Sequence, residues 1–152
     1  MVKIYIDADA CPVKDETYRV AKRYSLQVVV VSHHALVVPK ADGIVPIVVA
    51  QGFDAVDNWI EAEAAAFDIV ITNDILLAER CIKKGALVTD PRGRILDENN
   101  IGEAVVRREL LDELRQRGEI GLGPQKHGKK QNSNFLSSLD TLINRAKKNT
   151  PA

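Results

Sequence analysis

The sequence predicts an α/β fold, a three-layer sandwich in which helices cover both faces of a mainly parallel sheet of about five strands. Three observations support this. The candidate strands are continuously apolar instead of alternating, which is typical of parallel strands buried on both faces. Segments with helical periodicity separate them, as crossover connections require. The length of 152 residues and the hydrophobic share of 45% fit one domain over residues 1–152.

The strands are predicted, in chain order, at residues 2–6, 26–32, 44–49, 68–72 and 86–89. All are rich in valine and isoleucine, residues that fit a pleated, buried surface. Pro46 lies inside the third strand and cannot donate to a ladder, which predicts either an edge position or a later start for that strand.

Five helices are predicted, at residues 12–24, 52–67, 75–84, 99–117 and 135–148. Pro12 fits a first helical turn, and Gly85 and Gly118 fit the ends of the third and fourth helices. Residues 118–134 contain four glycines, one proline and three lysines and are predicted to form a mobile basic loop. The helix at 135–148 closes the domain against the sheet, although its apolar stripe could also form a homodimer interface.

Composition excludes several classes of protein. No run approaches the 18 or more apolar residues of a membrane-spanning helix, and the first residues do not resemble a signal peptide. A cytoplasmic location without membrane contact is therefore expected. Cys11 and Cys81 cannot build a disulfide framework, and no partner at ligand spacing indicates zinc, so reduced thiols are expected.

Charge is unevenly distributed although the net charge is zero. Residues 1–76 hold 6 basic and 11 acidic side chains, whereas residues 77–152 hold 15 and 10. The asymmetry is consistent with an acidic site beside a basic face that attracts phosphates. Ordinary scatter of charge over solvated helices would give the same count.

Acidic residues follow several of the predicted strands. The list is Asp7 and Asp9 after the first, Asp54 and Asp57 after the third, Asp74 after the fourth and Asp90 after the fifth. Ligands bind beyond the carboxyl ends of parallel strands, near the point where strand order reverses. In extended chain, Asp7 and Asp9 would share a face with Cα atoms about 7 Å apart. Carboxylates alone favour Mg²⁺ or Mn²⁺ over zinc, so we predict such a site among these acids, with Asp7 and Asp9 able to reach a common ion.

Most of these acids also have a purely structural interpretation. Asp54 fits a helix N-cap better than a ligand, and Asp57 could belong to the solvent face of that helix. Asp74 could cap the next helix, but Asn73 can do so equally well, which would leave Asp74 spare. Asp90 begins the sequence DPRG, which fits a type I turn.

Basic side chains on the same edge are candidate phosphate contacts. Lys14 follows the acidic pair closely, and Arg92 and Arg94 follow Asp90. The same residues could equally be exposed parts of a helix and a turn. His33 lies after the second strand, where it could face the cleft or water.

Several sequence blocks resemble the YaiI/YqxD family of uncharacterised bacterial proteins. They are DADACPVK, GFDAVDNWI, ITND, LAERC, KKGA, PRGR and GLGP, which follow one another over nearly the whole chain. The resemblance implies a fold similar to PIN and NYN domains, which are metal-dependent ribonucleases. It also implies that Asp7, Asp9 and Asp74 form the acidic cluster, with Asp54 or Asp57 as a further member and Lys14 beside it.

Three functions remain open at this point. The first is a Mg²⁺- or Mn²⁺-dependent nuclease that hydrolyses RNA, or single-stranded DNA, with Asp7, Asp9 and Asp74 as catalytic residues and Lys14 and Arg92 binding substrate. The second is a phosphatase of the haloacid dehalogenase kind, with Asp7 as nucleophile and Asp9 as acid and base. The third is a non-catalytic module that binds RNA or protein.

Overall fold

The structure is a computed structural model that describes residues 1–9, 11–119 and 126–150. It confirms an α/β fold with a mainly parallel sheet. The strands are β1 (Lys3–Asp7), β2 (Gln27–Ser32), β3 (Ile44–Val48), β4 (Ile69–Ile71), β5 (Leu87–Thr89) and β6 (Ile95–Leu96). The helices are α1 (Lys14–Tyr24), α2 (Ala55–Glu63), α3 (Ile75–Lys83), α4 (Ile101–Gln116) and α5 (Lys129–Asn149).

The sheet has the strand order β3-β2-β1-β4-β5-β6. All neighbours are parallel except β5 and β6. The chain moves outward from β1 to β3 and then crosses back to β4 on the other side of β1. The order therefore reverses between β1 and β4, which makes the carboxyl ends of these two strands the expected place for a ligand.

Each face of the sheet carries its own core, because successive side chains of a strand point to opposite faces. In β1, Ile4 and Ile6 pack with α1 and α5, where Phe135 and Leu139 are fully buried. Tyr5 lies on the opposite face with buried residues of α2, α3 and α4. The near-continuous apolar strands thus have the two-sided burial that their composition predicts.

Four sequence predictions about elements need correction. The second helix spans only Ala55–Glu63 of the predicted residues 52–67. The sheet has a sixth strand, the two-residue β6, which is too short to give a pattern of its own. The first helix begins at Lys14, two residues after Pro12. Residues 129–134, predicted as loop, form the first turns of α5.

The early start of α5 is stabilised by hydrogen bonds of polar side chains, which cannot be predicted from composition alone. The Gln131 side chain accepts a hydrogen bond from the backbone N–H of Gly128 at 3.0 Å. Asn132 donates to Glu16 of α1 at 3.2 Å, which fixes the helix on the domain. The remainder of the predicted mobile loop lies largely at 120–125, outside the described residues.

The DPRG segment forms the predicted turn between β5 and β6. The Gly93 N–H donates to the Asp90 carbonyl at 3.1 Å, and Asp90 Oδ1 accepts from the backbone N–H of both Arg92 and Arg94. Gly93 has φ +89°, and a Cβ there would lie 2.4 Å from the Asn134 backbone. Only glycine permits this contact, which places the turn directly on α5.

Three further sequence expectations can be compared with the described residues. Both cysteines are buried free thiols, as expected. In the described part of the chain, no helix combines the length and apolar character needed to cross a membrane. Pro46 lies in β3, which is an edge strand as predicted.

Candidate active site

Asp7 lies at the switch point as the last residue of β1. Its Oδ2 atom accepts a hydrogen bond of 2.7 Å from the Thr72 hydroxyl. Burial raises the pKa of the Asp7 carboxyl, and the charges of Asp74 and Asp9 raise it further, while the Thr72 hydrogen bond and the charge of His33 lower it. The carboxylate is therefore destabilised by partial burial among other acids, which favours either a proton or a cation beside it.

Thr72 connects the two strands that flank the switch point. It is buried, and its Oγ1 atom accepts a hydrogen bond of 2.9 Å from the backbone N–H of Asp74 while donating to Asp7. The loop after β4 is thus fixed to the end of β1. Sequence reasoning assigned Thr72 no role, although a hydroxyl ending an apolar strand just before Asn-Asp was an available signal.

Asp74 is the N-cap of α3. Its Oδ1 atom accepts from the backbone N–H groups of Leu76 at 2.9 Å and Leu77 at 3.4 Å. The idea that Asn73 could take this role and leave Asp74 spare is therefore wrong. A carboxylate has two oxygens, however, and the capping bonds use only Oδ1. Capping and participation in the acidic cluster are compatible for the same side chain.

Asp57 is the most perturbed carboxyl of the cluster. Burial, a side-chain hydrogen bond to Asp74, and the charges of Asp74, Asp7 and Asp54 raise its pKa to about 7. Asp57 is half-buried, so its carboxyl lies at the margin of the solvent-facing surface of α2. With a pKa of about 7, the Asp57 carboxyl is protonated in about half of the molecules at neutral pH, and it interacts directly with the Asp74 carboxylate.

Asp54 and Asp9 are placed differently from expectation. Asp54 occupies the N-cap position of α2 in a left-handed conformation with φ +60°, and its side chain makes no capping hydrogen bond. Its charge acts on Asp57 instead. Asp9 is exposed in the turn after β1, so the expected extended-chain alignment with Asp7 is not observed. It still contributes negative charge near Asp7.

The predicted phosphate contacts lie at this end of the sheet, one at the start of a helix and one in a turn. Lys14 begins α1, and its Nζ donates to the Cys11 carbonyl at 2.9 Å. This hydrogen bond fixes the turn between β1 and α1. The sequence had indicated only that Lys14 lies close to Asp9 in the chain. Arg92 lies in the β5–β6 turn and lines a depression with Arg94 and Ser137. A substrate role for Lys14 and Arg92 stays a prediction.

His33 is a second residue whose position becomes clear only in the fold. It follows β2, the neighbour of β1, and its charge acts on Asp7. Its Nδ1 atom is buried without a hydrogen-bond partner among the described residues. The fold thus places the imidazole of His33 at the end of β2, beside the end of β1 that carries Asp7.

The carboxylates suit a hard divalent cation chemically but are not arranged as a finished coordination shell. Among residues 1–9, 11–119 and 126–150, no three His, Cys, Asp or Glu side chains converge to hold a metal ion. Asp7 Oδ2 and Asp74 Oδ1 are engaged in hydrogen bonds within the protein. Their second oxygens and Asp57 would supply the ligands, an all-oxygen set of the kind Mg²⁺ and Mn²⁺ prefer.

Fold and site together define a doubly wound α/β protein with an acidic cluster at the switch point of its sheet. The chain belongs to the uncharacterised YaiI/YqxD family, whose family model matches residues 5–145. This confirms the resemblance seen in its sequence blocks.

Similar proteins extend over nearly the full chain. A UPF0178 protein of Gluconacetobacter diazotrophicus is 51% identical over 148 residues, which are 97% of this chain and 96% of that protein. A UPF0178 protein of Paramagnetospirillum magneticum is 48% identical over 151 residues, 99% of this chain and 100% of that protein. No solved structure gives a significant match.

Proposed function

We propose that this protein is a Mg²⁺- or Mn²⁺-dependent nuclease that hydrolyses phosphodiester bonds of RNA at the acidic cluster. One observation carries the proposal. Three carboxyls from separate segments, Asp7, Asp57 and Asp74, lie close together: burial first, and then the charges of neighbouring acids, raise the pKa of Asp7 and raise that of Asp57 to about 7. Such mutual repulsion at a ligand-binding edge is expected where a cation normally neutralises the acids.

The roles of the side chains follow from their positions. Asp7, Asp57 and Asp74 would hold the ion through their free oxygens, and the exposed Asp9 would add a ligand at the outer side. Thr72 keeps Asp7 and Asp74 in fixed relative positions through its two hydrogen bonds. When bound, the ion would lower the pKa of a water and stabilise negative charge on the phosphoryl oxygens.

Asp57 gives the site a built-in proton response. In the free protein its carboxyl is half protonated near pH 7. Binding a divalent ion would release that proton, because the ion stabilises the carboxylate form. Ion binding and therefore activity should increase between about pH 6 and 8.

The substrate assignment depends on charge and on the small number of aromatic residues. The chain has one tryptophan, three tyrosines and three phenylalanines, few platforms for stacking bases. Lys14 and Arg92 would contact the phosphate backbone, which carries no sequence information. Cleavage should therefore show little base specificity.

A cleavage assay with two variants tests the proposal. Labelled single-stranded RNA is incubated with the native chain, with and without Mn²⁺, and with Asp7→Asn and Asp42→Asn. Asp42 is an exposed carboxylate just before the amino end of β3, at the opposite edge of the parallel sheet from the cluster, so its variant controls for charge and for contaminating ribonuclease. Mn²⁺-dependent cleavage retained by Asp42→Asn and lost by Asp7→Asn supports the nuclease.

Two other results would replace the proposal. Hydrolysis of p-nitrophenyl phosphate with a trapped aspartyl phosphate analogue at Asp7 would identify the phosphatase. Binding of RNA without turnover in any divalent ion would identify a non-catalytic module.

A further inference from the structure

A groove rich in arginine lies beside the acidic cluster. It has a volume of about 380 Å³ and is formed by the start of α3, the β5–β6 turn and one side of α4. Its lining residues are Asn73, Ile75, Arg94, Ala104, Arg107, Arg108, Leu111, Asp112 and Arg115. Asn73 and Ile75 flank Asp74 in the chain, so the groove begins where the acidic cluster ends.

The arginines of α4 form a stripe by helical spacing. Residues 104, 107, 108, 111, 112 and 115 are three or four positions apart and so share one side of the helix. Ile101 and Ala104 are the only buried residues of α4, so most of this side remains accessible. A sequence search for core residues finds Ala104 and Leu111 and passes over the basic residues between them.

The groove carries excess positive charge. Four arginines line it with a single acid, Asp112. Asp112 pairs with both Arg108, at 3.5 Å, and Arg115, at 3.3 Å. Within the described residues, the side chains of Arg94 and Arg107 form no hydrogen bond or ion pair. Exposed pairs of this kind contribute little to stability, so the arginines can exchange partners for a phosphate.

The size and lining of the groove indicate what it binds. From Arg107 to Arg115 the helix rises about 12 Å. This exceeds the ~3.4 Å axial spacing of successive phosphates in a stacked strand, so several phosphates can lie along it. A recess of about 380 Å³ has room for the sugar–phosphate backbone of a short stretch of one strand. Its described lining has no aromatic side chain, so it offers contacts to backbone but no stacking surface for bases.

We infer that this groove binds the phosphates of a single-stranded polynucleotide on one side of the bond that is cut. Arg94 and Arg107 contact successive phosphates, and Arg108 and Arg115, whose exposed pairs with Asp112 are weak enough to be exchanged, add positive charge. The inference rests on the proposed function for the position of the cut, but the binding itself does not depend on turnover.

Binding in the absence of divalent ions tests the groove separately from catalysis. Fluorescein-labelled oligouridylate and oligothymidylate are titrated with the native chain in EDTA at several salt concentrations. The double variant Arg94→Gln with Arg107→Gln should bind both at least about tenfold more weakly, because it loses two phosphate contacts. The slope of log affinity against log salt should become shallower by about 1.4, at about 0.7 per contact with a single strand.

A second double variant provides the matched control. Arg117→Gln with Arg145→Gln removes two charges from exposed positions outside the groove. It should bind within about twofold of the native chain. Equal losses in both double variants, or an unchanged affinity of the groove variant, would overturn the inference.

The outcomes also separate this inference from the nuclease. If binding depends on the groove but no Mn²⁺-dependent cleavage is seen, the groove inference is supported and the nuclease proposal is contradicted. If the native chain and the groove variant cleave RNA with equal KM, the nuclease proposal is supported and the groove inference is contradicted.

Discussion

The acidic cluster and the arginine groove meet at residues 73–75 but hold their charges in different ways. Asp7 and Asp57 are partly buried, and burial is the first cause of the raised pKa of each. Arg94 and Arg107 are exposed, where water screens charge. The two regions therefore differ more in desolvation than in the number of charges. Partial burial makes the acids of the cluster repel one another, whereas the exposed arginines only attract an anion.

The two regions also divide the chain. Asp7, Asp57 and Asp74 belong to the half with excess acid, and the groove arginines belong to the half with excess base. A net charge of zero thus conceals two neighbouring regions of opposite sign. This arrangement suits a ligand that is itself an anion and is held beside a cation.

The largest expected effect contrasts two acids of the cluster. Asp7→Asn should lower Mn²⁺-dependent cleavage of RNA about 10³-fold, equivalent to ~4 kcal/mol, because Asp7 is partly buried at the switch point. Asp9→Asn should lower it about tenfold, since Asp9 is exposed in a turn. Single-turnover rates measure both. Equal losses would mean that burial does not rank the acids.

Adding Mn²⁺ should relieve the repulsion in the acidic cluster. At about 100 times its dissociation constant, a ligand that binds only the folded state stabilises it by about 2.7 kcal/mol. Differential scanning fluorimetry at pH 7.5 should show a higher Tm for the native chain and for Asp42→Asn. Asp57→Asn should respond much less, and an equal response from that variant would place the ion elsewhere.

Thr72→Val tests the connection between Asp7 and Asp74. The change keeps the shape of the side chain but removes a buried hydroxyl with two hydrogen bonds. The free energy of unfolding in urea should fall by about 1–3 kcal/mol. Thr141→Val removes an exposed hydroxyl of α5 and should change it by less than about 0.5 kcal/mol. Similar small values for both variants would contradict the coupling role of Thr72.

The smallest effect is the pH dependence caused by Asp57. Its pKa is about 7 in the folded protein and near 3.9 when unfolded, so the folded state binds more protons between these values. Stability in EDTA should therefore fall as pH rises from about 4 to 7. Asp57→Asn removes this decline and should be more stable than the native chain at pH 8 by about 1–2 kcal/mol, a value reduced for solvent screening.

At pH 4 the same variant should match the native chain, because Asp57 is protonated there in the folded state and about half protonated in the unfolded state. Urea titrations at both pH values provide the measurement. A stabilisation that persists unchanged at pH 4 would show that repulsion is not its source.

Sequence patterns predicted the elements with strong local signals. The apolar strands, the DPRG turn and the edge position of β3 all depend on residues whose preferences act over short distances. The predictions that failed concern weaker signals. Residues 129–134 are polar and seemed loop-forming, but Gln131 and Asn132 find partners that only the fold supplies.

The acidic site was predictable as a set of residues and less so in its geometry. The rule that ligands bind at the carboxyl edge of a parallel sheet predicted that Asp7, Asp57 and Asp74 lie near one another. It could not rank Asp57 above Asp54, because that ranking depends on burial and on the left-handed conformation of Asp54. Nor could the rule find Thr72. One of its hydrogen-bond partners, Asp7, lies 65 residues away in the chain, and the other, Asp74, lies two residues away.

The sequence alone determined that this chain forms apolar parallel strands with acids at their carboxyl ends, since both properties are written in local composition. Only the tertiary structure decided which acids repel one another and which arginines face them, because those relations depend on strand order and on how much water each side chain loses.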